Sequence, residues 1–423
     1  MIVSCLLLPA IPEAEAGTYY VALSGNDANT CAAAQNPGTP KQTIANGVAC
    51  LAPGDTLYMR SGTYTGSSNV IDSARFRVAS GTASSVITIA GYPGESVTIQ
   101  PPDNTHALRL TIGAPAYLVF KNFTVDMVNS TPGGSMPEGI YLSSGAHHNR
   151  FERLEVKYAK SFGIVFSRHD GNSPFNQVVN CDVHHTGDNS SDPRNGHALY
   201  ISTSDNLFDG NTIHDNQGYG LNLYDNGGDK FVARNVGRNN KIFNNGTHGG
   251  TAYGVTVAWG ADNLIYNNLI YDNPGGILVY LESENAQIFN NTIVRNTALE
   301  GIALQYYGAQ APVLRNNIVY GNGSTIRDYG GMYSMGMVAE SNLTSDPLFV
   351  NATESDFHLQ GSSPARDKGM FIAAVLVDYE GVRRPEGNGY DVGAFEFTGT
   401  SQTTMGPPPP TDLRVQRATA GTN

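Results

Sequence analysis

Features that build helices or bind polyanions are scarce in this chain. It has one Trp among 423 residues, and only 15% of the residues are charged. Acidic residues outnumber basic ones 37 to 25, and the resulting net charge of −12 opposes a nucleic-acid partner. No stretch sustains the helical apolar period over about ten positions. The long apolar run Ile2–Ile11 is too short to cross a bilayer, and no transmembrane segment is expected elsewhere. Ala14-Glu15-Ala16 follows it as a small-x-small cleavage site, so residues 1–16 read as a signal peptide. The positive residues that usually open such a segment are missing, so a start further upstream is expected.

Cysteine is sparse too, at four residues, and none sits in a CxxC pair or a His/Cys cluster of the zinc-binding kind. Cys5 leaves with the signal. Cys31 and Cys50 flank a short predicted helix, Thr43 to Cys50, in an N-terminal cap, and a disulfide between them is expected of an exported protein. Cys181 lies inside a repeat and is expected to be a buried thiol.

What the chain does have is Gly, 48 residues of it, and a recurring phrase of Asn, two or three apolar residues and Asn again. It reads NCDVHH at Asn180, GNTIHDN at Gly210, NNKIF at Asn239, NNLIYDN at Asn267, NNTIVRN at Asn290 and RNNIVYGN at Arg315. Looser copies begin at Lys121 and Glu152. Equivalent apolar positions, from Val125 and Val156 through to Ile293 and Val319, are spaced 23–31 residues apart. A fixed period in this range signals a solenoid or array. A second phrase falls between the first, a Gly or Ala followed by four strand-like residues, as in GIYLS at Gly139, GIVFS at Gly163, ALYIS at Ala198 and GLNLY at Gly220. Each repeat therefore holds at least two short strands bounded by turn residues. A propeller blade needs more chain, so one coil of a parallel β-helix fits best. The second and fourth residues of the second phrase are apolar and should stack inside the tube. The repeated Asn should form ladders of stacked amides.

On these motifs the chain resembles right-handed parallel β-helix proteins of the pectate-lyase-like superfamily, over residues 17 to about 397. The opening YYVALSGNDANTC resembles the entry segment of bacterial members, and DPLFVNATESDFHLQGSSPARDKG resembles the segment that closes many secreted ones. The fold expected is all-β, a single-stranded right-handed parallel β-helix with an N-terminal helical cap. The parts are 1–16 signal, 17–100 cap and first coils, 101–345 core, 346–397 closing segment and 398–423 a proline-rich tail. PPPPTDLRV in that tail resembles the lead-in to a further module, which would anchor a bacterial protein at the cell surface. Export to the outside or to that surface is expected.

Connection lengths place a site. They lengthen at Val125 to Gly139, Val183 to Ala198 and Ile242 to Gly254, and also after the strands of Gly163 and Gly220. Long loops on a rigid scaffold are where sites are built. A groove is expected along this face, its floor carrying Tyr141, Tyr200, Asn222, Tyr224 and Tyr280 as substrate-binding residues for the rings and hydroxyls of a polysaccharide. His169, Asp170, His184, His185, His197, Asp225 and Lys230 should stand on or beside it. Asp170 and Asp205 take the same ordinal place after consecutive strands. In register they would lie ~4.8 Å apart, a spacing that suits Ca²⁺ or a hydrolase pair.

The resemblance favours a polysaccharide lyase acting on a uronic-acid glycan by β-elimination. Such a reaction needs a cation at the substrate carboxylate and a base for the neighbouring proton. Arg168, Arg194 or Lys230 could supply the first, and His197, Tyr200, His169 or Lys230 the second, with His197 foremost because it adjoins the Ala198 strand. A mannuronan C5-epimerase is the next alternative, although Arg168-His169-Asp170 stands where its Asp-Pro-His motif would be. A glycoside hydrolase retains only Gly196-His197 of the polygalacturonase series. A non-catalytic glycan-binding surface protein is the last.

Overall fold

The computed structural model describes residues 16–131, 137–188, 196–225, 231–248, 251–305, 310–330 and 336–399. These form a right-handed parallel β-helix with three strands per coil, the two expected phrases and one more. Among the described residues, sheets 1, 2 and 3 have twelve, ten and ten parallel strands. The Asn phrase forms sheet 2 and the Gly phrase forms sheet 3. Sheet 1 runs through three-residue strands such as Gln177–Val179, Leu207–Asp209 and Val236–Arg238.

Strand alternation sorts the side chains as expected. Ile164, Phe166, Leu199, Ile201, Leu221 and Leu223 are fully buried in the tube, each burial worth roughly 1.5–3 kcal/mol. Ile164–Phe166 pairs in register with Leu199–Ile201, and that strand pairs with Leu221–Leu223. The Gly that opens the phrase is there for space. A Cβ on Gly276 would stand 2.2 Å from the Gly301 carbonyl oxygen and 2.4 Å from Ile293 Cγ2.

Three Asn ladders hold the turns. Asn211, Asn240, Asn268, Asn291, Asn317 and Asn342 stack between sheets 1 and 2, and each Oδ1 from Asn240 onward accepts both the backbone N–H and the Nδ2–H of the Asn one coil earlier, at 2.9–3.0 Å. A second ladder runs from Asn216 through Asn245, Asn273 and Asn296 to Asn322. A third, from Asn149 through Asn176, Asn206 and Asn235 to Asn263, supports the turn from sheet 3 to sheet 1. Buried amides satisfied in this way avoid the cost of unpaired polar groups.

The N-terminal end of the apolar tube is covered, as a solenoid requires. Ile44–Val48 forms the cap helix, and Thr43 Oγ1 accepts from Asn46 N–H. Ile44 and Val48 pack into the core, and Cys31 is bonded to Cys50 beside them. Cys181 is buried, and burial pushes its thiol up to about 12. At the far end the hairpin Phe349–Asn351 and Asp356–Leu359 packs on the outside of sheet 2, against Tyr271 and Val294. There a fully buried Arg384 pairs with Glu396 at 2.6 Å. No helix among the described residues is long and apolar enough to cross a membrane.

Candidate functional site

The site face is the outward side of sheet 3. Asp72, Arg109, Tyr141, Val165, Tyr200 and Asn222 follow one another there, one strand apart. Where the Gly163 strand ends, the chain makes a long excursion before sheet 1. That excursion and the next two coils enclose a cleft of about 370 Å³ lined by Ser167, Arg168, His169, Asp170, Tyr200, Ser202 and Asp225. A second cavity, of about 380 Å³, lies between the closing segment and sheet 2, away from this face.

Arg168 Nε stands 2.5 Å from Asp225 Oδ1, and the Asp225 side chain is only 1% exposed. The Arg168 backbone N–H donates to Ser202 Oγ at 3.0 Å, which anchors the turn from which the side chain projects. Tyr200 stacks on Phe162 with ring centroids 5.1 Å apart and meets Tyr224 edge-on at 6.1 Å. Burial, reinforced by Tyr224 and Asp225, pushes its phenol up to about 12, so it carries its proton at neutral pH. At the rim His169 Nδ1 lies 2.9 Å from Asp170 Oδ2, with both side chains exposed. The cleft thus brings together a cation on a buried carboxylate, a protonated phenol and a carboxylate-oriented imidazole.

Arg168, His169, Asp170 and Tyr200 meet in the cleft. Tyr224 and Tyr280 stand beyond it, stacked at 6.2 Å, and Tyr141 lies two strands away against His106 at 5.5 Å. Asn222 is buried rather than on an open floor, at 3% exposure. Arg194 and Lys230 fall outside the described residues.

His197 does not line the cleft. It is 3% exposed, packed against Phe162 and Tyr219, and its Nδ1 accepts the Tyr219 N–H at 3.1 Å. The residue before each Gly or Ala phrase forms a column along the edge of sheet 3. Glu138, Phe162, His197, Tyr219 and Tyr253 occupy it, and His197 is one of its rungs. That regularity was available in the sequence and would have exposed Phe162 as the partner of Tyr200. His184 and His185 are elsewhere as well: His184 is on the outside of sheet 2, 3.1 Å from Glu155 and stacked on His214.

Asp170 and Asp205 do not pair. From Phe166 the chain takes nine residues to reach Phe175, whereas four lead from Ile201 to Asp205, and the Phe175 N–H bonds to the Asp205 carbonyl. Asp205 therefore sits one coil above Phe175, and Arg234 holds its carboxylate through two bonds of 2.6 and 2.7 Å. Asp170 and Asp205 therefore do not form the close carboxylate pair expected from their ordinal places.

The sequence profile of the Pel9A-like, right-handed β-helix region matches residues 19–317. The chain belongs to the Pel9A-like right-handed β-helix family. A relative within reach of this family member is pectate lyase PEL9 of Emericella nidulans, 26% identical over 366 residues that span 75% of this chain and 81% of the relative. Among solved structures, the crystal structure of pectate lyase Pel9A is similar with a TM-score of 0.63 and 19% identity, over 90% of this chain and 96% of that one. A rhamnogalacturonan lyase is similar with a TM-score of 0.55 and 14% identity, over 87% of this chain and 99% of that one. At these identities the two structures support the fold.

Proposed function

We propose that this Pel9A-like protein is a secreted polysaccharide lyase that cleaves a uronic-acid glycan by β-elimination in the cleft around Arg168. The observation that carries the proposal is Arg168 itself, a guanidinium held over a buried Asp225 beside Tyr200 and the His169–Asp170 pair. The curated relative is a pectate lyase, and that supports a polysaccharide substrate.

Arg168 binds the carboxylate of the sugar and stabilises the negative charge that builds on it as the neighbouring proton leaves. His169 Nε2 takes that proton from the carbon bearing the carboxylate, while Asp170 stabilises the imidazolium that forms. The C–O bond to the adjoining sugar breaks, a C–C double bond forms, and the leaving oxygen takes the Tyr200 hydroxyl proton. The His169 proton then returns to Tyr200 through solvent. Asp225 keeps the guanidinium in place and offsets its burial.

The test is the ultraviolet absorbance of unsaturated product on a panel of pectate, alginate and glycosaminoglycan. Absorbance that rises on one of them supports the lyase. Reducing ends released without that chromophore would instead indicate hydrolysis, and an altered sugar configuration without cleavage would indicate epimerisation.

A further inference from the structure

The sheet 3 face is open on one side of the cleft and closed on the other. Toward the N-terminal coils the outward column runs from Tyr200 over Val165, which is 4% exposed, to Tyr141 and Arg109, both partly exposed. That is three strands, about 14 Å at ~4.8 Å per strand. Toward the C-terminal coils the same column passes through Asn222, Thr256, Leu278 and Ala303, none more than 4% exposed.

Two structures close that side. Tyr224 and Tyr280 come from strands two coils apart, yet their rings lean to 6.2 Å across Ala258, which is fully covered. Further on, the Glu300 carboxylate accepts from Tyr253 at 2.7 Å and from Tyr329 at 2.5 Å. Arg327 stands 3.6 Å from Glu300 and lies over the Tyr329 ring. Glu300 opens its strand, whereas Tyr329 follows the end of the next one, so their contact crosses the outward face. Gly275 makes room for this strap, because a Cβ there would fall 2.4 Å from the Tyr253 ring. At the blind end Asn222 Oδ1 and its register neighbour Thr256 Oγ1 are buried with no hydrogen-bond partner among the described residues.

We infer that the cleft receives its glycan by one end: the terminal unit meets the Tyr224–Tyr280 wall, and the rest of the chain leaves over Tyr141 toward Arg109. This mode rests on the glycan-binding reading of the cleft, and it makes the protein act from chain ends rather than within chains.

The experiment measures binding of hexameric galacturonate and mannuronate oligosaccharides to the His169→Ala variant. Each is tested unlabelled, with a bulky fluorophore on one end, on the other, or on both. The inference expects one single label to be tolerated, and the other single label and the double label to weaken binding by about tenfold or more, as a built-in steric clash does. Tyr280→Ala, combined with His169→Ala, should restore binding of the doubly labelled oligomer. Equal tolerance of both single labels would overturn the blind end and leave the lyase reading standing. Loss of binding with either single label would overturn it too, since both ends would then be enclosed. Failure of every unlabelled oligomer to bind would overturn the glycan reading and this inference with it.

Discussion

Arg168 Nε approaches Asp225 Oδ1 to 2.5 Å from a strand two coils away, across the outside of the tube. Asp225 is almost wholly buried, so each partner depends on the other. Asp225→Ala should lower stability by about 2–3 kcal/mol, read from urea unfolding, because a charge is left without its partner. On the lyase account Arg168→Ala should cost about 10²–10³ in kcat, as removal of an oxyanion donor does, with Arg168→Lys intermediate.

His169→Ala should lower kcat by about 10²–10⁴, the usual contribution of a positioned acid or base. Asp170→Asn should cost less, since Asp170 acts only through His169. Both measurements use the glycan that gives product absorbance.

His106 Nδ1 and Glu138 Oε2 lie 3.2 Å apart on the open end of the same face. Burial pushes Glu138 up to about 7, and burial, then Arg109, pushes His106 down to about 4. The two act on stability with opposite sign. Glu138 is protonated in the fold above the pH at which it ionises when unfolded, so its contribution falls as pH rises from about 4.5 to about 7. His106 stays neutral in the fold where it would be charged when unfolded, so its contribution rises with pH from about 4 to about 6.5. Thermal unfolding of Glu138→Gln should therefore show Tm climbing with pH across that window, and His106→Phe should show it falling.

Asn240 is fully buried in the ladder between Asn211 and Asn268. Asn240→Ala leaves the Asn211 donors and the Phe208 carbonyl without partners and should cost about 2–3 kcal/mol. Asn291→Ala should cost a similar amount, and equilibrium unfolding checks both. A loss below about 0.5 kcal/mol at both positions would mean that water replaces the amides.

The fold was legible because its two loudest signals, buried Asn and space-limited Gly, recur at the coil period. Sheet 1 was not, because its strands, such as Leu207–Asp209 and Val236–Arg238, share no recurring phrase. Arg168 and Asp170 could be placed at the cleft from the long excursion after Gly163. The same excursion defeated the pairing of Asp170 with Asp205, because ordinal position stops tracking register once one turn is five residues longer. Adjacency to the Ala198 strand did not show that His197 belongs to the edge column, where it packs on Phe162, Tyr200 and Tyr219. The bond from Arg168 to Asp225 joins two separate turns, and only coordinates reveal such a pairing.

The most direct test compares wild type with Arg168→Ala for growth of ultraviolet absorbance on polymeric uronic-acid glycans. A chromophore formed by the wild type and lost by two orders of magnitude or more in the variant, about 3 kcal/mol of transition-state stabilisation, is the predicted result. A wild type that yields no unsaturated product on any of them, or a variant as fast as wild type, would contradict the claim that this guanidinium drives elimination.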